Sequence, residues 1–283
     1  MIFVALVALI IIGILIPIGF SSDSDSVVIT YGEATRLNPE YKEAVNNYFK
    51  ENANVDVVDT NNKVFTAKNV NDLYNSFTNQ SYSIDQICSA CLVDLSECNE
   101  LKVIVDSSKV TVVTSDMYEL ALRSAGITKG VVYITSPANI TGENSISEVL
   151  NSYESVTNIE MPMNVKTAAN REIYTQSKIV ENSDISAENL TQLVSAVKYE
   201  VSAENITDHA EIVKIINKNC EINNFNISDN DVESLASTIE DVHSAQKDAK
   251  DYEFELSKFF SGSKRNGECS INDIINKVNL FKR

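Results

Sequence analysis

Residues 102 to 136 read KVIVDSSKVTVVTSDMYELALRSAGITKGVVYITS, and this stretch decides the fold class. Lys102 to Asp106 and Val110 to Val113 are β-branched runs of strand length, divided by a Ser107-Ser108 turn. Ser115 to Ala125 follows with helical spacing. Met117, Leu120, Ala121 and Leu122 fall on one face, and Gly126 is placed to serve as the C′ residue that ends the helix. Gly130 to Ser136 returns as a second strand. An amphipathic helix between two strands buries its apolar face against the sheet those strands build, so the stretch predicts an α/β (α+β) domain with helices packed on a sheet. Pattern alone does not give the strand order.

Working outward, the alternation continues on both sides. Val27-Val28-Ile29-Thr30 reads as a strand that ends in a turn at Tyr31-Gly32. Asn38-Pro39-Glu40 opens a helix, with Asn as N-cap, Pro at the first position and an acid in the first turn. Val55 to Val58 reads as a strand, and Asn69 to Phe77 as a short helix presenting Val70, Leu73, Tyr74 and Phe77. Thr141-Gly142-Glu143 leads into a helix that carries Ile146, Val149, Leu150 and Tyr153. Beyond about Val165 the period is helical throughout. Helices are expected over Asn164 to Val180, Ser186 to Val201, Ile206 to Asn217, Ser228 to Phe260 and Ser270 to Phe281, with Ser186 and Ser228 as N-caps. Short polar connections predict an all-α antiparallel bundle. The expected organisation is residues 1–26 as a hydrophobic helix and tether, 27–157 as the α/β domain and 158–283 as the helical domain.

Residues 2–20, IFVALVALIIIGILIPIGF, carry no charge and are about as long as a bilayer core is thick. The polar tether Ser21 to Ser26 follows, and the first basic residue of the chain is Arg36. With no Lys or Arg beside the exit, the expected location is the cell membrane, a single pass with the C-terminal bulk outside the cytoplasm. Cleavage near Gly19-Phe20-Ser21 would instead release a secreted protein. The whole chain of 283 residues is 43% hydrophobic and 22% charged, with a formal net charge of -17. That apolar fraction builds a core, and the acidity argues against nucleic acid as a partner, because phosphate recognition needs a basic face. An envelope polymer or a membrane protein is the expected kind of partner.

The residue chemistry is sparse. Cys88, Cys91 and Cys98 lie close in sequence, with Cys220 and Cys269 far downstream. Their spacing fits three zinc thiolates completed by Cys220, Cys269, His209 or His243, and also a C-x-x-C redox pair. Structural disulfides are the ordinary reading outside the cell: Cys98 with Cys88 or Cys91, and Cys220 with Cys269, one thiol being left over. His209 and His243 sit among polar neighbours and read as surface residues. No G-x-S-x-G, G-x-G, P-loop or H-E-x-x-H occurs, which sets aside nucleotide-dependent enzymes, zincins and serine hydrolases of that type. No catalytic residue, metal or cofactor is assigned. Thr141, Gly142, Asn144 and Ser145 form the candidate ligand-binding segment, since a helix start offers free N–H groups. Glu143 within it argues against an anion and for a capping role.

The residues also carry a resemblance. Thr111-Val112-Val113-Thr114-Ser115-Asp116-Met117-Tyr118, then Ala121-Leu122 and Ala125-Gly126-Ile127, resemble the YpuA-like family of secreted or membrane-anchored proteins. Val132-Tyr133-Ile134, Ser136-Pro137, Thr141-Gly142 and Tyr153-Glu154 continue the pattern. Tyr31-Gly32-Glu33, Leu37 and Tyr48-Phe49 are similar to its opening segment. Two features depart from it: Asn144-Ser145-Ile146-Ser147 replaces a second Leu- and Gly-bearing turn, and the cysteines at 88, 91 and 98 look particular to this chain. The family's domain is of unknown function, so the resemblance implies fold and export and supplies no site residues. The expected function is a non-catalytic, envelope-associated binding or interaction module. A hydrolase using a carboxylate pair and a structural partner of a membrane protein are the alternatives.

Overall fold

The structure, a computed structural model, describes residues 26–53, 55, 57, 60–96 and 100–262. The apolar run 2–20, the tether up to Asp25, Cys98, Cys269 and the expected helix 270–281 lie outside those residues. Among the described residues no helix is long and apolar enough to cross a membrane.

In chain order the elements are β1 (Val27–Gly32), α1 (Glu33–Leu37), α2 (Pro39–Ala53), β2 (Asn61–Phe65), α3 (Ala67–Tyr74), β3 (Ala90–Asp94), β4 (Lys102–Val105), α4 (Ser115–Ser124), β5 (Val131–Thr135), α5 (Ser145–Thr157), α6 (Met163–Asn182), α7 (Ala187–Glu204), α8 (His209–Asn223) and α9 (Asp229–Gly262). The sheet has the order β2-β1-β3-β5-β4. β1 and β2 are parallel, as are β4 and β5, and β3 runs antiparallel to both of its neighbours.

Register sorts the side chains onto two faces, because successive residues of a strand point to opposite sides. Val28, Val93, Val132 and Val103 form one row across the sheet, with Thr30, Cys91 and Ile134 in the next row of that face. This face receives α4 and α5. The opposite face carries Ile29, Tyr31, Ala90 and Leu92, packed with Val45 and Phe49 of α2.

Two strand expectations are corrected, and one strand, β3, is not anticipated by the sequence pattern. Val110 to Val113 adds no strand: Val110 makes an isolated bridge to Ile140, and the segment runs beside the loop after β5. Val55 and Val57 lie outside any strand, and the strand falls instead at Asn61 to Phe65, whose first four residues are exposed. An edge strand this polar has no apolar alternation to announce it. β3 is the opposite case, with Ala90 to Val93 all buried, so its two faces read alike.

The helical half follows the expected segments, with ends set by caps. The Asn38 side chain accepts from the Glu40 N–H at 3.0 Å at the start of α2, and Ser186 and Ser228 accept from the N–H groups of Asn189 and Asp231, each at 3.2 Å. α8 begins at His209 rather than Ile206 because Asn205 ends α7 in a left-handed conformation and Asp208 caps the next helix. α6 and α9 run antiparallel, joined by Asn164–Asp248 (2.6 Å), Arg171–Asp241 and Thr175–Thr238 (2.9 Å). Lys198 of α7 meets Glu172 of α6 at 2.6 Å.

One apolar core continues from Val28 and Val132 through Met117, Leu122 and Leu150 into Leu193, Ile216, Leu235 and Tyr252. The change of class near Asn158 is therefore not a gap in packing. Gly126 marks the closeness of the two halves: at φ +81° it lies where a Cβ would stand 2.2 Å from the Ala249 carbonyl oxygen.

Candidate functional site

The pairing directions bring the carboxyl ends of β1, β2, β4 and β5 to one edge of the sheet, beside the start of β3. In open α/β sheets that edge is where ligands bind, because the loops there are free of the sheet's own hydrogen bonding. A cleft of about 380 Å³ lies at this edge, between residues 80–89 and 138–145. Tyr82, Asp85, Cys88, Thr141, Glu143 and Asn144 are among its lining.

Each wall is held by specific bonds. The Val110–Val113 segment straps the loop after β5: Ile140 N–H donates to Lys109 (2.9 Å), Thr111 N–H to Ile140 (2.8 Å) and Val113 N–H to Thr141 (3.0 Å). Gly142 sits at φ +106°, and a Cβ there would come within 2.6 Å of Val110 and 2.8 Å of the Tyr118 hydroxyl. Tyr118 donates to the Gly142 carbonyl and Tyr74 to that of Glu143 at 2.9 Å. Opposite, Asn71 brackets Tyr82, donating to its carbonyl at 2.9 Å and accepting its N–H at 2.7 Å. Thr35 and Ser136 both donate to the Cys88 carbonyl.

The electrostatics are those of sheltered acids. Glu143 is 5% exposed, and burial raises the proton affinity of its carboxyl. Thr141 donates to it and Tyr82 reaches it at 3.5 Å. Lys178 is 4.0 Å away but makes its closer pair with Glu181 at 2.7 Å. Glu148 is fully buried beneath the cleft, and desolvation pushes its carboxyl up to about 8. Its Oε1 accepts from Ser89 at 2.7 Å, while Oε2 has no partner among the described residues. Asn144 Oδ1 is buried and likewise unpartnered, and the buried Ser145 Oγ lies against the Tyr118 hydroxyl. Buried polar atoms left unpaired cost on the order of 1–3 kcal/mol each, a cost the fold carries here and again at Gln176 and Ser177 in α6.

Thr141, Gly142, Asn144 and Ser145 all line this cleft, and Cys88 joins them from the opposite wall. Cys91 lies in β3 beneath α5, its Sγ 3.4 Å from Ser152 Oγ, and Cys220 is buried in α8. All three thiols are free, and burial raises the pKa of each. Among the described residues no group of three or more His, Cys, Asp or Glu side chains is arranged to hold a metal ion. His209 stands between Glu233 (2.9 Å) and Glu240 (3.0 Å), far in sequence from the cleft. The sequence pattern does not mark Tyr82, Asp85, Ser89 or Glu148 as site residues. For Glu148 a signal existed, since an acid flanked by Ile146, Val149 and Leu150 sits within a buried stripe.

Comparison with known proteins adds family membership. Over 145 residues the chain is 26% identical to Uncharacterized protein YpuA of Bacillus subtilis (strain 168), a stretch covering 51% of this chain and 49% of that protein. The chain thus spans about half the length of that relative. No solved structure matches. The family described as Protein of unknown function (DUF1002) matches residues 31–259, which take in most of the sheet, the cleft and almost all of the described helical half. On that match the chain belongs to this family of unknown function.

Proposed function

We propose that this protein is a non-catalytic binding module at the cell envelope, held to a membrane through residues 2–20 with its bulk outside the cytoplasm. Its ligand enters the cleft between residues 80–89 and 138–145. The observation that carries the reading is the cleft of about 380 Å³ at the carboxyl ends of β1, β2, β4 and β5, where Asp85, Gln86 and Asn139 are exposed polar side chains on its two walls. A small polar unit of an envelope polymer or of a membrane-protein partner would hydrogen-bond to them. Two facts favour binding over catalysis. Thiols whose pKa is raised stay protonated near neutral pH and make poor nucleophiles. Glu148 is shut beneath the floor, outside the cleft lining, where a general acid could not reach a substrate.

A second reading, an extracytoplasmic hydrolase using a carboxylate pair, draws on the raised proton affinities of both Glu143 and Glu148 beside one cleft. It would require the floor at Ser89 to open.

The binding reading is tested by co-sedimentation of the chain without residues 1–25 with cell envelopes of its own organism, at low and high salt. Saturable binding that survives high salt is expected. Absence of binding at both salts would overturn the envelope reading.

A further inference from the structure

We propose that the amino edge of the sheet lies against the membrane, with residues 263–283 on its anionic headgroups, so that the cleft opens away from the bilayer. This rests on the reading above that residues 2–20 are the membrane anchor. The chain enters and leaves the described body at that edge. It enters at Ser26, which is fully buried and whose carbonyl accepts from Leu95 N–H at 2.9 Å, a fixed point of arrival from the anchor. Residues 21–25 alone separate Ser26 from Phe20. Fully extended, that tether reaches about 20 Å. β1, six residues from Val27 to Gly32, is about as long, and the cleft lies beyond its far end. To set the cleft on the bilayer, the tether would have to run back the whole length of β1 and still cross a headgroup layer of about 6 Å. It falls short.

The tether alone would leave the sheet free to tilt about Ser26, and the far end of α9 removes that freedom. α9 descends to the same edge: Ala249 packs against Gly126, Glu253 meets Thr128 at 3.4 Å, and Lys129 Nζ stands 5.7 Å from the Phe260 ring centroid. Lys129 lies just before β5, and β1 and β5 flank β3, two strand spacings or about 10 Å apart. Past Gly262 the sequence changes sign. Residues 263–283 hold five Lys or Arg and two acids, in a chain whose net charge is -17. Among them stand Ile271, Ile274, Ile275, Val278, Leu280 and Phe281. Basic side chains mixed with large apolar ones suit an anionic lipid surface, which takes the charges at the headgroups and the apolar groups at the acyl boundary. The acidic body is repelled by such a surface, which confines the contact to this edge. For the cleft the consequence is a choice of ligand. A unit of an envelope polymer or a distal part of a protein partner reaches it, and a lipid headgroup of the same membrane does not.

The test is photo-cross-linking of the 283-residue chain reconstituted in vesicles of equimolar phosphatidylcholine and phosphatidylglycerol. A trace of lipid carries a photoreactive group on its headgroup, and adducts are mapped by mass spectrometry. Adducts are expected on residues 100–102, 128–130 and 258–283, at least tenfold above those on the exposed cleft rim at Asp85, Gln86 and Asn139. Vesicles of phosphatidylcholine alone should lower the yield on 263–283 at least threefold, as should the combined substitutions Lys277→Glu, Lys282→Glu and Arg283→Glu. Equal labelling of the cleft rim and the amino edge would overturn the orientation while leaving the anchor reading intact. A yield on 263–283 indifferent to phosphatidylglycerol would overturn the anionic contact. Failure of the chain to float with vesicles of either composition would overturn the anchor reading and this inference together.

Discussion

The two faces of the sheet are covered by helices of similar length but filled with different chemistry. Under α2 the layer is Ile29, Leu92, Val45 and Phe49, with Tyr31 turning its hydroxyl to Asn46 at 2.7 Å. Under α5 an apolar layer gives way to a polar seam toward the carboxyl edge. There Thr30 and Ser152 hydroxyls meet at 2.7 Å, Cys91 approaches Ser152, and Ser89 donates to Glu148. The first face does what any half of a sandwich must do, removing apolar area from water at about 25 cal/mol per Å². The second trades part of that gain for hydrogen-bonding groups leading up to the cleft, and polar seams of this kind are ordinarily costly unless fully satisfied. Glu148 Oε2 and Asn144 Oδ1 show where satisfaction stops. The α2 face is a small, wholly apolar layer, whereas the α5 face joins the main core to the polar groups that lead up to the cleft.

The largest expected effect comes from breaking the apolar face. Leu92→Ala removes a fully buried side chain at the centre of that layer and should lower stability by about 2–5 kcal/mol in urea unfolding. Under conditions where the variant stays folded, ligand affinity at the cleft should be unchanged. A loss of affinity without unfolding would mean that the two faces are not separable.

The polar seam should reveal itself through pH. Glu148 has its carboxyl pushed up to about 8 in the folded protein, against an ordinary value near 4.5. The folded state therefore holds a proton that the unfolded state has released between these values, and stability falls as pH rises through that window. A shift of one unit corresponds to about 1.4 kcal/mol, so an effect on the order of 2–4 kcal/mol is expected once relaxation around the buried group is allowed for. Glu148→Gln keeps the Ser89 bond and removes the titration. It should match the wild type at pH 5 and exceed its stability at pH 8.5. Parallel pH profiles for the two proteins would show that Glu148 does not titrate in this range.

The smallest effect belongs to the helical half. His209 lies between Glu233 and Glu240, and those hydrogen bonds raise its pKa above 6.5. The sign is the same as for Glu148, because this pKa too is raised in the folded state: the stabilisation is present below the unfolded value and lost as pH rises through the folded one. His209→Gln should thus lower the melting temperature slightly at pH 6 and leave it unchanged at pH 9. The group is exposed enough that salt should screen most of the difference. A larger loss at pH 9 than at pH 6 would contradict the pairing.

Much of this architecture is legible in the sequence, for local reasons. α4 lies within one residue of its expected bounds because Thr114 caps it, accepting from Met117 N–H, and Gly126 ends it at positive φ. The helices of the second half are legible through Leu190, Leu193, Val194 and Val197, whose spacing needs no tertiary information. β2 and β3 escape for opposite reasons, one too polar and exposed to alternate, the other buried on both faces. The Val110–Val113 run has the composition of a strand but is spent on fixing Ile140 and Thr141 in place. Of the cleft, the wall at 141–145 is legible from its glycine and its helix start. The opposite wall is not, because Ser89 and Glu148 are 59 positions apart and meet only through the pairing of β1, β3 and β5. The pattern withholds strand order as well, and the cleft depends on it.

The account rests most directly on the cleft. Ala138→Trp sets a bulky ring into its lining at a half-buried position, so it fills the cleft and leaves the core intact. Envelope co-sedimentation of this variant beside the wild type at high salt, with melting temperatures recorded for both, measures what the cleft does. The account predicts unchanged melting and binding weakened at least tenfold. Equal binding by the two proteins would place the ligand elsewhere and contradict it.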